Sequence, residues 1–469
     1  MGNILASYLC PHPPIILPEI GRGEELKAEK TIEGFKKLSE DIRKKAPSTI
    51  IAITPHGPLF SDAISISIEK RLKGDFDSFG FDEIKFQFKN NREMVDAIIQ
   101  ESNREGIIIA EIDKYLVENY DISDKLDHGV LVPLYFVDKS YKGFKLIHIT
   151  YGMLSPIELY RFGMVVQKVI EESREDVVVI ASGDLSHRLS DEGPYPYSPY
   201  GKEFDEKIVQ ILREGDMESI VEFDLSLAER AGECGLRSLM IMAGTMNGLT
   251  IEPRVYSYEG PYGVGYATAQ FDVLGKNPRR NILNKLKLRA NKKIDDIRSN
   301  EDAYTRLARI SVEYYIQNRI HMKVPKDVPN EMLEERKAVF VTLYKDGMLR
   351  GCIGTTEPRQ ANIAAEIITN AVSAATEDPR FSKVGEDELD SIIYSVDVLS
   401  KPEPISSIDE LDVYNYGVIV KKGYRQGLLL PNIQGVDTVE EQVSIALKKA
   451  GINEDEEYSM ERFKVIRHN

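Results

Sequence analysis

Cysteine is scarce in this 469-residue chain. Cys10, Cys234 and Cys352 lie far apart and form no CxxC pair, which argues against a disulfide scaffold and fits a reducing cytoplasm. No apolar run reaches the roughly 18 to 20 residues that span a bilayer. The opening MGNILASYLC lacks the basic region and small-residue cleavage site of a secretory signal, so it reads as a strand. Ala6 stands where an N-myristoylation motif wants Ser or Thr. There is no P-loop and no GxSxG elbow, and the glycines of EGPYGVGY (259–266) precede a strand where a phosphate loop would precede a helix. No internal repeat or low-complexity tract occurs. Positive charge is in the minority, with a net −16, which argues against a nucleic-acid binder.

What is present is an ordinary soluble composition, 42% hydrophobic and 29% charged. The length exceeds what one core usually fills, so two domains are expected. In residues 1–274, NILASYL, STIIAIT, FKLIHIT and DVVVIAS read as buried strands, and 24–45 and 155–173 carry helical spacing. Residues 199–247 read as mostly helical, and 251–258 and 264–273 as closing strands. This predicts an α/β sheet with helices on both faces. Residues 275–298 turn strongly basic inside an acidic protein and read as an inter-domain linker, partly helical. Residues 299–469 predict a smaller α+β domain. It has a hairpin turning at Asp346-Gly347, a helix over 360–376, a strand SIIYSVDVL, a second hairpin in YGVIVKKGYRQGLLLP, and a helix stopped by Gly451.

Histidine numbers only seven, so placement is informative. His12 in PHPP, His56 in TPHGP and His187 in SGDLSH each follow a predicted strand. In an open α/β sheet, ligands gather beyond the carboxyl ends of the strands, so these imidazoles are expected at one crevice. His128, in LDHGVLVPLYF, follows a loop and precedes an apolar run. His148 lies mid-strand and reads as a packed core residue; His321 and His468 show no metal spacing. Two histidines and a carboxylate with open positions form the donor set of non-haem Fe(II) oxygenases. In AGECGLR, Glu233 would complete such a triad, whereas Cys234 would soften the site and favour zinc or a redox role. Neighbouring residues on a helix point about 100 degrees apart, so only one of the two is expected to ligate.

Taken in order, PHPP, TPHGP, LDHGVLVPL, SGDLSH and AGECGLRSL over 1–274 resemble the class III extradiol ring-cleavage dioxygenases of the LigB type, and the Memo-like proteins of the same superfamily. The LigB pattern implies His12, His56 and Glu233 as metal ligands, His187 as the acid–base residue and His128 as a hydrogen-bond donor. It implies Fe(II), with zinc as the alternative, and a catecholic or related aromatic substrate. Memo-like members carry a Cys-Gly at the position of Cys234-Gly235, and some are thought not to be oxygenases. Two other readings therefore stand beside the oxygenase: a non-oxygenase metal-binding protein, and a zinc hydrolase using the same ligands and base. Over 299–469, MLRGCIGT, TEDPRF and GYRQGLLLP resemble the AMMECR family. Such domains occur with Memo-like and radical-SAM proteins in the AmmeMemoRadiSam grouping, which implies a radical-SAM partner. Within this domain Cys352 and Arg350 are candidate functional residues, with a binding or packing role expected ahead of nucleophilic chemistry.

Overall fold

A computed structural model describes residues 1–433 and 435–469, and for Asp82 the backbone alone. The chain divides into two compact units, Met1–Lys287 and Leu288–Asn469. The fold is mixed α/β, with a large mixed sheet in the first unit and smaller antiparallel sheets in the second.

The first sheet contains β1 (Asn3–Cys10), β2 (Thr49–Thr54), β3 (Ile64–Ser67), β4 (Arg71–Phe76), β5 (Phe81–Asn90), β6 (Ile109–Ile112), β7 (Lys145–Thr150), β8 (Asp176–Ser182), β9 (Leu249–Glu259) and β10 (Tyr266–Lys276). The strand order is β4-β5-β7-β2-β8-β1-β10-β9, with β3 joining β7 to β6. The middle strands β7, β2, β8 and β1 run parallel. They are nearly unbroken apolar runs because helices cover both faces. One core cluster on Ile51, Ile53, Val177 and Val179 packs with Leu159, Phe162 and Leu239. The other, on Ile50, Ala52, Val178 and Ile180, packs with Phe35, Leu38 and Leu131. Alternate residues of one strand thus serve opposite cores, as the twofold period of a strand requires.

Parallel pairing puts the carboxyl ends of these strands at one edge. Cys10 lies opposite Ser182, Ile53 opposite Ala181 and Thr54 opposite Thr150. The residues that follow are therefore delivered side by side.

Two elements go beyond the sequence expectation. The segment 128–140, an apolar run behind a loop to which the sequence assigns no element, is a helix starting at His128. The basic stretch at 275–298 begins as the end of β10 and then forms a helix, Leu283–Ser299. Leu286 of that helix joins the first core, so the division between the units falls inside a helix.

In the second unit, β11 (Val339–Lys345), β12 (Met348–Gly354), β13 (Ile392–Leu399) and a later β18 (Val465–His468) form one antiparallel sheet. The second sheet holds β14 (Glu403–Ile405), β15 (Gly417–Lys422), β16 (Arg425–Leu429) and β17 (Ser459–Phe463). The β11–β12 hairpin turns at Asp346-Gly347, both at positive φ (50° and 79°), the backbone that a two-residue hairpin of matching twist demands. Helices Ala303–Asn318 and Ile363–Thr376 cover one face of the first sheet through Val341, Leu343 and Val396. Among the described residues, no helix is long and apolar enough to cross a membrane.

Candidate metal centre

β1 ends at Cys10, and the prolines at 11, 13 and 14 prevent it from continuing. His12 is left at the strand exit, 2% exposed. Its backbone N–H donates to Asp184 Oδ1 at 2.8 Å, and its Nδ1 lies 2.9 Å from Ser182 Oγ. The Ser182 hydroxyl spends its one proton on the Gly129 carbonyl. His12 Nδ1 must therefore carry the proton, and the lone pair is left on Nε2. That nitrogen faces His56 Nε2 at 2.9 Å. His128, at the start of its helix, stacks on His56 with ring centroids 4.2 Å apart and meets His12 edge-on at 5.4 Å.

His12, His56 and His128 each offer a ring nitrogen within 4.8 Å of the other two. Burial, together with mutual repulsion of positive charge, lowers the basicity of His12 and of His128, and burial does the same for His56. All three are thus neutral near pH 7, the form in which an imidazole ligates a metal. A ligating imidazole whose other nitrogen is locked by a hydrogen bond is the usual arrangement around a bound ion. His12 has it through Ser182, so the residues present fit a metal ion.

The third donor is where geometry and sequence part. Glu233 is preferred from the sequence, with His128 as a hydrogen-bond donor. In the structure His128 joins the nitrogen cluster, and the Glu233 carboxylate turns to the start of the helix Leu236–Thr245. There Oε2 accepts from Leu236 N–H at 2.6 Å, a favourable place for an anion at a helix N-terminus. Burial pushes the Glu233 carboxyl up to about 7. Its neighbour Cys234 is buried, with Sγ 3.6 Å from His12 Nε2. Asp184 N–H donates to that sulfur at 3.3 Å, and burial holds the thiol well above its usual pKa. Two glycines explain how sulfur comes so close. A Cβ on Gly183 would sit 2.1 Å from Gly235 Cα, so the exit of β8 and the 232–235 turn press backbone against backbone. Gly235 thus admits a neighbouring chain segment.

His187 lies at the same sheet edge, half-buried, with its ring stacked on Tyr195 at 5.3 Å. Its Nε2 is buried and has no hydrogen-bond partner among the described residues. Burial lowers its pKa, although Asp184 opposes the shift.

Sequence reasoning missed two carboxylates. Asp184, inside SGDLSH, anchors the His12 backbone, and burial raises its pKa to about 6. Asp127, next to His128, accepts from Thr54 at 2.6 Å and meets His148 Nε2 at 2.9 Å; His148 Nδ1 in turn meets Ser67. His148 is a core residue, as expected, but one that braces the acid beside His128. A signal was available in each case: an acid directly after a strand-ending Ser-Gly, and an acid directly before a turn histidine.

In the second unit, Arg350 does not serve Cys352. Its guanidinium grips Glu388 through Nε (2.9 Å) and Nη2 (2.8 Å). Cys352 is half-buried and receives the Thr342 hydroxyl at 3.2 Å.

Comparison with known proteins agrees with this architecture. Residues 6–269 match the family model described as the catalytic LigB subunit of aromatic ring-opening dioxygenase, and residues 305–468 match the AMMECR1 family. A Clostridium acetobutylicum protein is 45% identical over 98% of this chain and 98% of its own length. A Thermotoga maritima protein is 52% identical over 36% of this chain and 98% of its own. The crystal structure of an uncharacterized Pyrococcus horikoshii protein is 33% identical, covering 35% of this chain and 88% of its own, with a TM-score of 0.33. The chain therefore belongs to the family that joins a LigB domain to an AMMECR1 domain.

Proposed function

We propose that the first unit is a metal-dependent oxidoreductase acting on a small aromatic substrate, with His12, His56 and His128 holding the ion and His187 moving protons. The observation that carries this reading is the approach of His12 Nε2 to His56 Nε2, 2.9 Å apart, with the His12 lone pair directed there by Ser182. Bound iron would supply dioxygen activation and a Lewis-acid anchor for a catecholate. His187 Nε2, buried without a partner among the described residues, is free to take a phenolic proton and return it. Exposed rings flank the cluster: Phe79 edge-on to His128 at 5.2 Å and Tyr195 on His187. Flat apolar walls of this kind suit an aromatic ring. The test is metal analysis of anaerobically purified protein followed by oxygen uptake with a panel of catechols. Stoichiometric iron with oxygen consumption and a ring-opened product supports the proposal. Bound metal with no uptake on any catechol rejects it.

A second reading is favoured by one specific contact. Cys234 Sγ lies 3.6 Å from His12 Nε2 while Glu233 is engaged at Leu236. A site with a thiolate as third donor suits zinc better than an oxygen-activating iron. The unit would then be a non-oxygenase metal-binding domain working with a radical-SAM partner. Loss of sulfur-dependent absorption from cobalt-substituted protein on Cys234→Ser is its signature.

A further inference from the structure

Two of the three clustered imidazoles are tied together behind their rings. Thr54 is the last residue of β2, and its hydroxyl accepts from the His56 N–H at 3.2 Å. This is the local turn in which a Ser or Thr oxygen bonds the backbone two residues on. The same hydroxyl donates to Asp127 Oδ1 at 2.6 Å. Asp127 stands at the N-cap of the helix that opens with His128. One threonine side chain thus bridges the backbone of His56 to the residue before His128. A Cβ on Gly129 would sit 2.3 Å from Thr54 Oγ1 and 2.7 Å from Asp127 Oδ1, so the bridge closes only because position 129 carries no side chain.

An Asp at an N-cap ordinarily bonds a free N–H of the first helical turn through its side chain. Asp127 makes no such bond. Its two oxygens are spent elsewhere, Oδ1 on Thr54 and Oδ2 on His148 Nε2 at 2.9 Å. A carboxylate only accepts, so His148 carries its proton on Nε2, and Nδ1 accepts from Ser67 Oγ at 2.9 Å. Thr54, His148 and Ser67 belong to three strands, β2, β7 and β3, and all three are buried. Every hydroxyl and imidazole proton in the chain therefore has one direction, toward Asp127. A buried network satisfied in this way is rigid.

We propose that Thr54, Asp127 and His148 are positioning residues, which fix His56 and His128 relative to each other so that their ring nitrogens meet one ion. The proposal rests on the metal reading of the first unit. The test titrates the metal-free whole chain with Fe(II) under nitrogen, and separately with Zn(II), against graded chelators, with a circular-dichroism melt for each variant. Thr54→Val keeps the shape of the side chain without its hydroxyl and should bind about 10- to 100-fold more weakly. Thr54→Ser, which keeps the hydroxyl, should return affinity to within about twofold of wild type. In a His128→Ala background Thr54→Val should change affinity by no more than about twofold, because His56 then has no second imidazole to be held against. If Thr54→Val does not fold, Asp127→Asn, which turns an amide donor toward one of the two partners, takes its place with the same expected loss. A wild-type chain that takes up neither ion overturns the metal reading together with this inference. An ion bound by wild type and equally by Thr54→Val, no rescue by Thr54→Ser, or the same loss with and without His128 overturns this inference alone.

Discussion

His12 Nε2 faces His56 Nε2 across 2.9 Å, and Ser182 holds the far side of the His12 ring. Ser182 hands its proton to Gly129, so it can only accept from His12. Ser182→Ala should leave the His12 tautomer unspecified and weaken metal binding about 10- to 100-fold, the usual effect of removing a partner behind a ligand. Competition with a graded series of chelators measures this, and unchanged affinity would show that the ring is held by packing alone.

Glu233 and Cys234 are adjacent, and their replacements should separate cleanly. Glu233→Ala removes the acceptor for Leu236 N–H and should cost about 1 kcal/mol of stability while metal content persists. Cys234→Ala should lower metal affinity if sulfur is a ligand and leave it intact if His128 is. Elemental analysis of both variants beside His128→Ala identifies the third donor.

His187→Ala should retain metal, because the ring lies outside the cluster of three imidazoles, and should lose turnover. General acid–base groups typically contribute 10²- to 10⁴-fold. Metal loss in that variant would instead make His187 a ligand.

Glu388 sets a pH dependence in the second unit. Burial works to raise its pKa, but Arg350, the Gly385 N–H and Lys345 outweigh it and bring the carboxyl down to about 2. A depressed acid contributes stability above its unfolded pKa and loses it on protonation. The advantage of wild type over Glu388→Gln should therefore be about 2 kcal/mol near pH 7. It should vanish as pH falls from about 4.5 to about 2, and urea unfolding across that range checks it.

Cys352→Ser in the whole chain should leave metal content unchanged, since His12, His56, His128 and Cys234 all belong to the first unit. Iron loss in this variant would mean that the second unit contributes to the centre.

The sequence by itself determined the central strands β1, β2, β7 and β8 and where each ends, but not β3 to β6. Apolar, β-branched runs such as STIIAIT and DVVVIAS can only be buried, and the Pro and Gly after them stop the ladder. Parallel strands then carry His12, His56 and His187 to one edge whatever the detail of the packing. The family motifs add the expected roles, and Asp346-Gly347 announces its own turn. Which side chains stand beside the His12 and His56 imidazoles was decided only by tertiary structure. Glu233 and Cys234 are neighbours, and which of them faces His12 depends on the close passage of Gly183 against Gly235, residues 52 positions apart. Long-range pairing likewise drew His128 into the cluster, through a helix start braced by Asp127 and His148. It also gave Cys352 the company of Asp378 and Arg380 in place of its neighbour Arg350. Local spacing specifies an element and its face, but the partners of a side chain across elements follow from how those elements pack.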